Sequence, residues 1–198
     1  LASHCAGQTA CQLCAPGRFI NIKGQSDCSP CPVGQAVNTT GATGCNLCQE
    51  GQYSSQPGAL HCSQCPLGQF NSGTGKSACT PCTTGTATHV NGTLSCPQCA
   101  KGQYQDVPGS LSCKPCPKVR LLLLASLHSD LTLALALAIG QGTFSSSTGA
   151  QTCTNCPPGS FSNSTGATAC LPCSAGKVQS QQGQSACDAC LAGTFIGS

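Results

Sequence analysis

Two apolar patterns stand out along the chain: aromatic residues at one phase of a repeat, and one Leu/Ala-rich stretch. Phe19, Tyr53, Phe70, Tyr104, Phe161 and Phe195 each lie five residues after the second Cys of a CxxC pair, and Ala36, Ala87 and Val178 fill the same phase elsewhere. A side chain confined to one phase of a repeat marks a packing position, so each ring is expected to cover its own disulfide and the next unit. Glycine recurs three residues after the second Cys, as at Gly17, and ten residues after it, as at Gly24. The second glycine usually sits in a Thr/Ser/Gly cluster such as Ser164, Thr165 and Gly166. Two glycines at constant phase predict two turns of positive φ, and hence one short β-hairpin per unit.

The CxxC pairs set the period. Their first members fall at Cys11, Cys28, Cys45, Cys62, Cys79, Cys96 and Cys113, then at Cys153, Cys170 and Cys187, every step within each group being 17 residues. A fixed short period means small units that bury little alone and must stack on their neighbours. The predicted fold is therefore a set of small disulfide-rich repeats: an elongated rod of short β-hairpin units with a 17-residue period and almost no helix outside residues 118–141. Contacts are expected between adjacent units only.

The second apolar pattern interrupts the first. From Cys113 to Cys153 the spacing is 40, one period plus 23 residues, and nine of the 18 Leu lie between Leu121 and Leu137. The rest of the chain cannot build a common core. Removing Lys118 to Gly140, or Val119 to Gln141, restores the register and brings Phe144 to the aromatic phase. Three readings of this stretch compete. A membrane span from Leu121 to Ile139 would carry His128 and Asp130 near its centre, at a cost of about 2.5–3.5 kcal/mol for the Asp, and would put like disulfide repeats on both sides of a membrane. An inserted helix suits the propensity of Leu and Ala but exposes a sticky face over Leu131 to Ile139. The preferred reading is an intron of 23 codons read through in frame, since every Val codon begins with GT and one Gln codon is CAG. The organisation expected is cysteine-rich repeats over 1–117 (about six units and an N-terminal part), an anomalous Leu/Ala-rich insert over 118–141, and repeats again over 142–198.

Composition narrows the chemistry. With 21 Cys in 198 residues, 7% charged residues and a net charge of +3, the chain is no ordinary cytosolic enzyme, and no face is basic enough for nucleic acid. Asp27, Glu50, Asp106, Asp130 and Asp188 are scattered singly, so neither a catalytic set nor a small-molecule substrate site emerges and no cofactor is implied. A CxxC serves redox catalysis, metal binding or bridging. Ten motifs in a helix-free array do not suit a thioredoxin-like site. The spacing C-x2-C-x13-C-x2-C lies near zinc ribbons, but His4, His61, His89 and His128 share no phase with the cysteines. Bridging remains. Three glycosylation sequons, at Asn38, Asn91 and Asn163, fall in loops between pairs and suit the secretory route.

Spacing leaves two connectivities open. In a ladder, the second Cys of each pair bonds the first of the next: Cys14 with Cys28, Cys31 with Cys45, Cys48 with Cys62, Cys65 with Cys79, Cys82 with Cys96, Cys99 with Cys113, Cys156 with Cys170 and Cys173 with Cys187. Cys116 would then pair with Cys153 and Cys5 with Cys11, leaving Cys190 for a partner beyond Ser198. A crossed pattern would join like members, Cys11 with Cys28 and Cys14 with Cys31. The ladder is preferred because it needs no alternation between successive units. The sequence opens at Leu1 without Met or a charged-then-apolar leader, so the chain is expected to be a fragment of a larger protein, without its signal peptide.

The text C-x-x-C-P-x-G-x-F/Y-x-x-x-x-G-x-x-x-C, as from Cys153 to Cys170, resembles the ephrin-receptor-like cysteine-rich repeat, and the half-unit from Cys156 to Cys170 is similar to the last loop of an EGF module. The resemblance covers the chain outside 118–141. It implies disulfide-stapled extracellular rods of the kind found in receptors and in large surface proteins of algae and protists, flagellar hairs among them, with no catalytic residue. The function expected is a structural rod or spacer of a larger glycosylated surface or fibre protein, reached by the secretory pathway. Its partners would be other extracellular chains, as in a fibre assembly, and N-glycans. The alternative is a ligand-binding ectodomain of a cell-surface receptor, whose site should show as one unit with clustered charge or aromatics.

Overall fold

The structure, a computed structural model, is described for residues 3–4, 11–118, 120–121, 138–139 and 142–194. The chain is built of two-residue antiparallel hairpins at the 17-residue spacing, and among the described residues there is no helix. It divides into two compact units that interleave in sequence. One comprises Leu1–Thr83, Ala87–Pro97 and Pro108–Leu111, the other Thr84–Thr86, Gln98–Val107 and Ser112–Ser198.

In the first unit Arg18–Phe19 pairs with Ser29–Pro30, Gln35–Ala36 with Asn46–Leu47, Gln52–Tyr53 with Ser63–Gln64, and Gln69–Phe70 with Thr80–Pro81. Ser3–His4 pairs with Gln12–Leu13 ahead of them. The residue at the ring phase and the one before it therefore lie opposite the two middle residues of the following CxxC. Turns bracket each ladder on both sides, which keeps it to two residues. Where the second middle residue is proline, as at Pro30 and Pro81, the ladder also lacks a donor at its edge.

Successive repeats are joined by backbone hydrogen bonds. Gly17 N–H donates to Val37 O at 2.7 Å, Ile20 N–H to Ala42 O at 3.1 Å, and Gly41 N–H to Cys14 O at 2.8 Å. One period on, Gly34 donates to Ser54 O, Val37 to Ala59 O and Gly58 to Cys31 O. Repeats also touch their second neighbours, contrary to the expectation of adjacent contacts alone. A Cβ on Gly17 would land on the carbonyl oxygen of Gly58, and one on Gly34 on that of Gly75. Stacking this tight brings every other repeat within reach, and only a glycine fits between the two backbones.

The second unit repeats the scheme with Gln103–Tyr104 against Lys114–Pro115, Thr143–Phe144 against Thr154–Asn155, Ser160–Phe161 against Leu171–Pro172 and Lys177–Val178 against Asp188–Ala189, while Thr86 and Gln98 form an isolated bridge. Its interruption falls in one first turn. The membrane-span, helix and intron readings concern residues that lie mostly outside those described. The described ends of the insert, Arg120–Leu121 and Ala138–Ile139, pair as an antiparallel ladder where a helix was one expectation.

Burial corrects the reading of the rings. Phe19, Tyr53, Phe70, Tyr104, Phe144 and Phe161 are only half-buried, and Phe195 lies outside the described residues. The buried phases are the first-turn glycine from Gly17 to Gly142, the second Cys of the pair, 0–1% exposed from Cys14 to Cys156, and the residue after the ring: Ile20, Val37, Ser54, Asn71, Thr88, Gln105, Ser145, Ser162 and Gln179. Most of these are polar, and each polar one is tied into its own turn. Ser54 Oγ donates to Gln56 O, Val90 N–H donates to Thr88 Oγ1, and Gln105 both receives from Val107 N–H and donates to Ser112 O at 2.6 Å. A satisfied polar side chain costs little to bury, and here it shapes the loop that the next repeat docks on.

Candidate functional site

The cysteines and the two glycine phases form the working surface of each repeat. Nine disulfides join Cys14–Cys28, Cys31–Cys45, Cys48–Cys62, Cys65–Cys79, Cys82–Cys96, Cys99–Cys113, Cys116–Cys153, Cys156–Cys170 and Cys173–Cys187, with Cα–Cα distances of 5.5–5.8 Å. These are ladder pairs; Cys14 and Cys31 do not bond each other. Cys11 is also disulfide-bonded, while its expected partner Cys5 lies outside the described residues. Cys190 is a free thiol, half-buried. Eight of the nine bridges span 14 positions, and such a closure restricts the unfolded chain by about 3 kcal/mol.

Both glycine phases adopt positive φ, as at Gly68 (+74°) and Gly109 (+71°), with Gly142 the exception among the described first turns. Gly68 needs its lack of a side chain twice, because a Cβ there would also meet the Gly109 carbonyl oxygen. Gly109 N–H in turn donates to Cys82 O at 2.8 Å. The second middle residue of each CxxC forms the platform for the second-turn glycine: Pro30 under Gly58, Leu47 under Gly75, Gln64 under Gly92 and Pro81 under Gly109. Sequence reasoning missed this platform, since Pro, Leu and Gln share a phase but no chemistry.

The three sequon asparagines, Asn38, Asn91 and Asn163, are exposed. Asn38 and Asn163 occupy the phase two residues after the ring position. At that same phase, in the repeat Cys99–Cys113, stands Asp106. Its Oδ1 accepts a 2.6 Å hydrogen bond from Lys114 Nζ, the one ion pair among the described residues, and Lys114 lies 5.7 Å from the centroid of the Tyr104 ring. The register causes this, because Tyr104 and Lys114 are directly opposite in the hairpin. The Lys114 hydrogen bond holds the Asp106 carboxyl below the usual carboxylate range, and the same bond raises the Lys114 ammonium above its ordinary value. Among the described residues no three His, Cys, Asp or Glu side chains are grouped to hold a metal ion, and no helix is long and apolar enough to cross a membrane.

Three stretches, residues 85–122, 142–181 and 159–198, match the family described as tyrosine-protein kinase ephrin type A/B receptor-like. These stretches carry ephrin-receptor-like repeats. The last two matches are offset by 17 residues, so the family's motif slides along the array by one repeat, and the first stops at residue 122, a few residues into the interruption. Together the matches cover just under half of the chain. No curated protein matches the sequence. Ephrin-receptor-like repeats stapled by many disulfides mark an extracellular receptor-like or structural segment, and disulfide-rich repeats of this kind are typically non-enzymatic.

Proposed function

We propose that the ephrin-receptor-like repeats serve as a structural rod or spacer in a larger glycosylated surface or fibre protein, for example a flagellar-hair-like component, with other extracellular chains as partners and N-glycans on Asn38, Asn91 and Asn163. The observation that carries this reading is the docking of each repeat on the next through backbone groups at fixed phases, as from Gly17, Ile20 and Gly41 onwards. Such an interface repeats whatever the exposed side chains are, and so transmits geometry rather than recognising a ligand. Small-angle scattering on the full chain tests it: the radius of gyration should lie well above the roughly 16 Å of a compact globule of this length, and a value at the compact figure overturns the reading. Glycopeptide mapping of native protein should find at least one of the three asparagines modified.

Residues 118–141 stand outside the regular array in this proposal, as an intron read through in frame. Peptides from native protein should then join Pro117 to Gly142 through a single Lys or Gln. Recovery of a peptide containing Leu121 to Leu124 overturns that part.

A further inference from the structure

The repeat Cys99–Cys113 differs from its neighbours in a way the rod does not require. Beside it lies an open groove of about 420 Å³, whose lining includes Tyr104, Asp106, Thr143, Thr152 and Asn155. All belong to one compact unit. Among the phases two residues after the ring position, Asp106 is the only acid, the others being Asn, Ser, His or Gly. Lys114 is likewise the only cation at the first middle position of a CxxC. An aromatic ring, a carboxylate, hydroxyls and a carboxamide thus converge on one concave surface.

We propose that this groove binds a neutral carbohydrate. The charge argues for a neutral ligand: Lys114 is hydrogen-bonded to Asp106, so the pair offers no net charge to an anion or a cation. The ring argues for a ligand with an aliphatic face, since the C–H groups of a pyranose stack on an aromatic surface while its hydroxyls reach the polar rim. The acceptors argue for hydroxyl donors. An ionised carboxylate has about four lone-pair sites, of which Lys114 engages one side, and Asn155 adds both a donor and an acceptor. Thr143, which also lines the groove, donates its hydroxyl proton to Pro117 O at 2.8 Å. The volume suits one or two sugar rings, at the lower end of ordinary ligand pockets.

Two substitutions isolate the site without disturbing the hairpin. Ala36 and Ala87 occupy the ring phase in other repeats, and Asn38 and Asn163 occupy the Asp106 phase, so Tyr104→Ala and Asp106→Asn both place residues the fold already accepts. The full chain, produced without glycans and with its disulfides intact, is titrated with mannotriose and with N,N′-diacetylchitobiose, following backbone amide resonances. Fast-exchange shifts centred on Tyr104, Asp106, Thr152 and Asn155 with either sugar are expected. Each substitution should weaken binding at least tenfold, while Ser72→Ala at the equivalent phase of another repeat leaves it unchanged. A parallel arm compares glycosylated chain before and after endoglycosidase. A change at the same amides assigns the occupant to the chain's own sugar, and no change, with free sugar binding, assigns it to a glycan on another molecule. No shift at tens of millimolar of either sugar, or shifts indifferent to both substitutions, overturns the proposal. The scattering test of the rod is independent of this outcome.

Discussion

The repeats Cys65–Cys79 and Cys116–Cys153 close the same hairpin over first turns of very different length. Their bridges span 14 and 37 positions, yet the Cα atoms stand 5.7 and 5.8 Å apart. The following pair is held alike, with Cys82 N–H on Gly68 O and Cys156 N–H on Gly142 O, both at 2.9 Å. So is the docking of the next repeat, through Gly92 N–H on Cys65 O and Gly166 N–H on Cys116 O. The difference lies in the first turn. Gly68 has φ +74° and donates to Thr88 O, one repeat on; Gly142 is not in the left-handed region and donates instead to Gly183 O, two repeats on. Closure of the hairpin and docking of the next repeat are therefore indifferent to what the first turn contains. Extra chain can leave the array there without breaking it.

The largest effect should come from opening the bridges. Replacing both Cys116 and Cys153 by Ser should cost about 4 kcal/mol by loop entropy, against about 3 kcal/mol for Cys65 and Cys79. Chemical denaturation of the oxidised variants measures both, and an equal cost would mean that the insert is ordered enough to hold the hairpin closed alone. Next comes glycine. Gly68→Ala should suffer both positive φ, about 1–3 kcal/mol, and collision with the Gly109 carbonyl, whereas Gly142→Ala meets only the collision, with Gln184 O and Ser162 N. Thermal melts should place Gly68→Ala clearly below Gly142→Ala; the reverse order would show that docking, not backbone strain, dominates the first turn.

Deleting residues 119–141 should leave disulfide mapping unchanged and stabilise the chain by about 1 kcal/mol or less, the entropy of a shorter loop. Scrambled bridges after this deletion would show that the insert guides the pairing of Cys116 with Cys153. The smallest effect belongs to the ion pair. The lowered Asp106 value means that any stability it lends is present above the ordinary carboxylate range and is lost as pH falls through its folded value. The raised Lys114 value means that its share is present below the ordinary lysine range and is lost as pH rises through its own. Both groups are exposed and screened, so melts of Asp106→Asn and the parent chain should coincide within error from mildly acidic to mildly alkaline pH.

Much of this was legible from residue spacing, because a period acts locally. The step of 17, the glycines of both turns and the place of the interruption follow from the order of residues, since a turn needs its glycine wherever the turn occurs. The bridging pattern was legible as a preferred ladder beside a crossed alternative, because either one satisfies the spacing of Cys11, Cys14, Cys28 and Cys31. What tertiary structure alone decided are contacts that leave no side chain behind. The docking of Gly17 on Gly58 joins two backbones, and its only trace, a glycine, was already explained by the turn. Burial likewise fell on Ser54, Asn71 and Gln105 rather than on the half-buried rings, because a polar side chain that closes its own turn can be enclosed cheaply. Asp106 and Lys114 read as scattered charges, eight positions apart, until the hairpin register set them side by side.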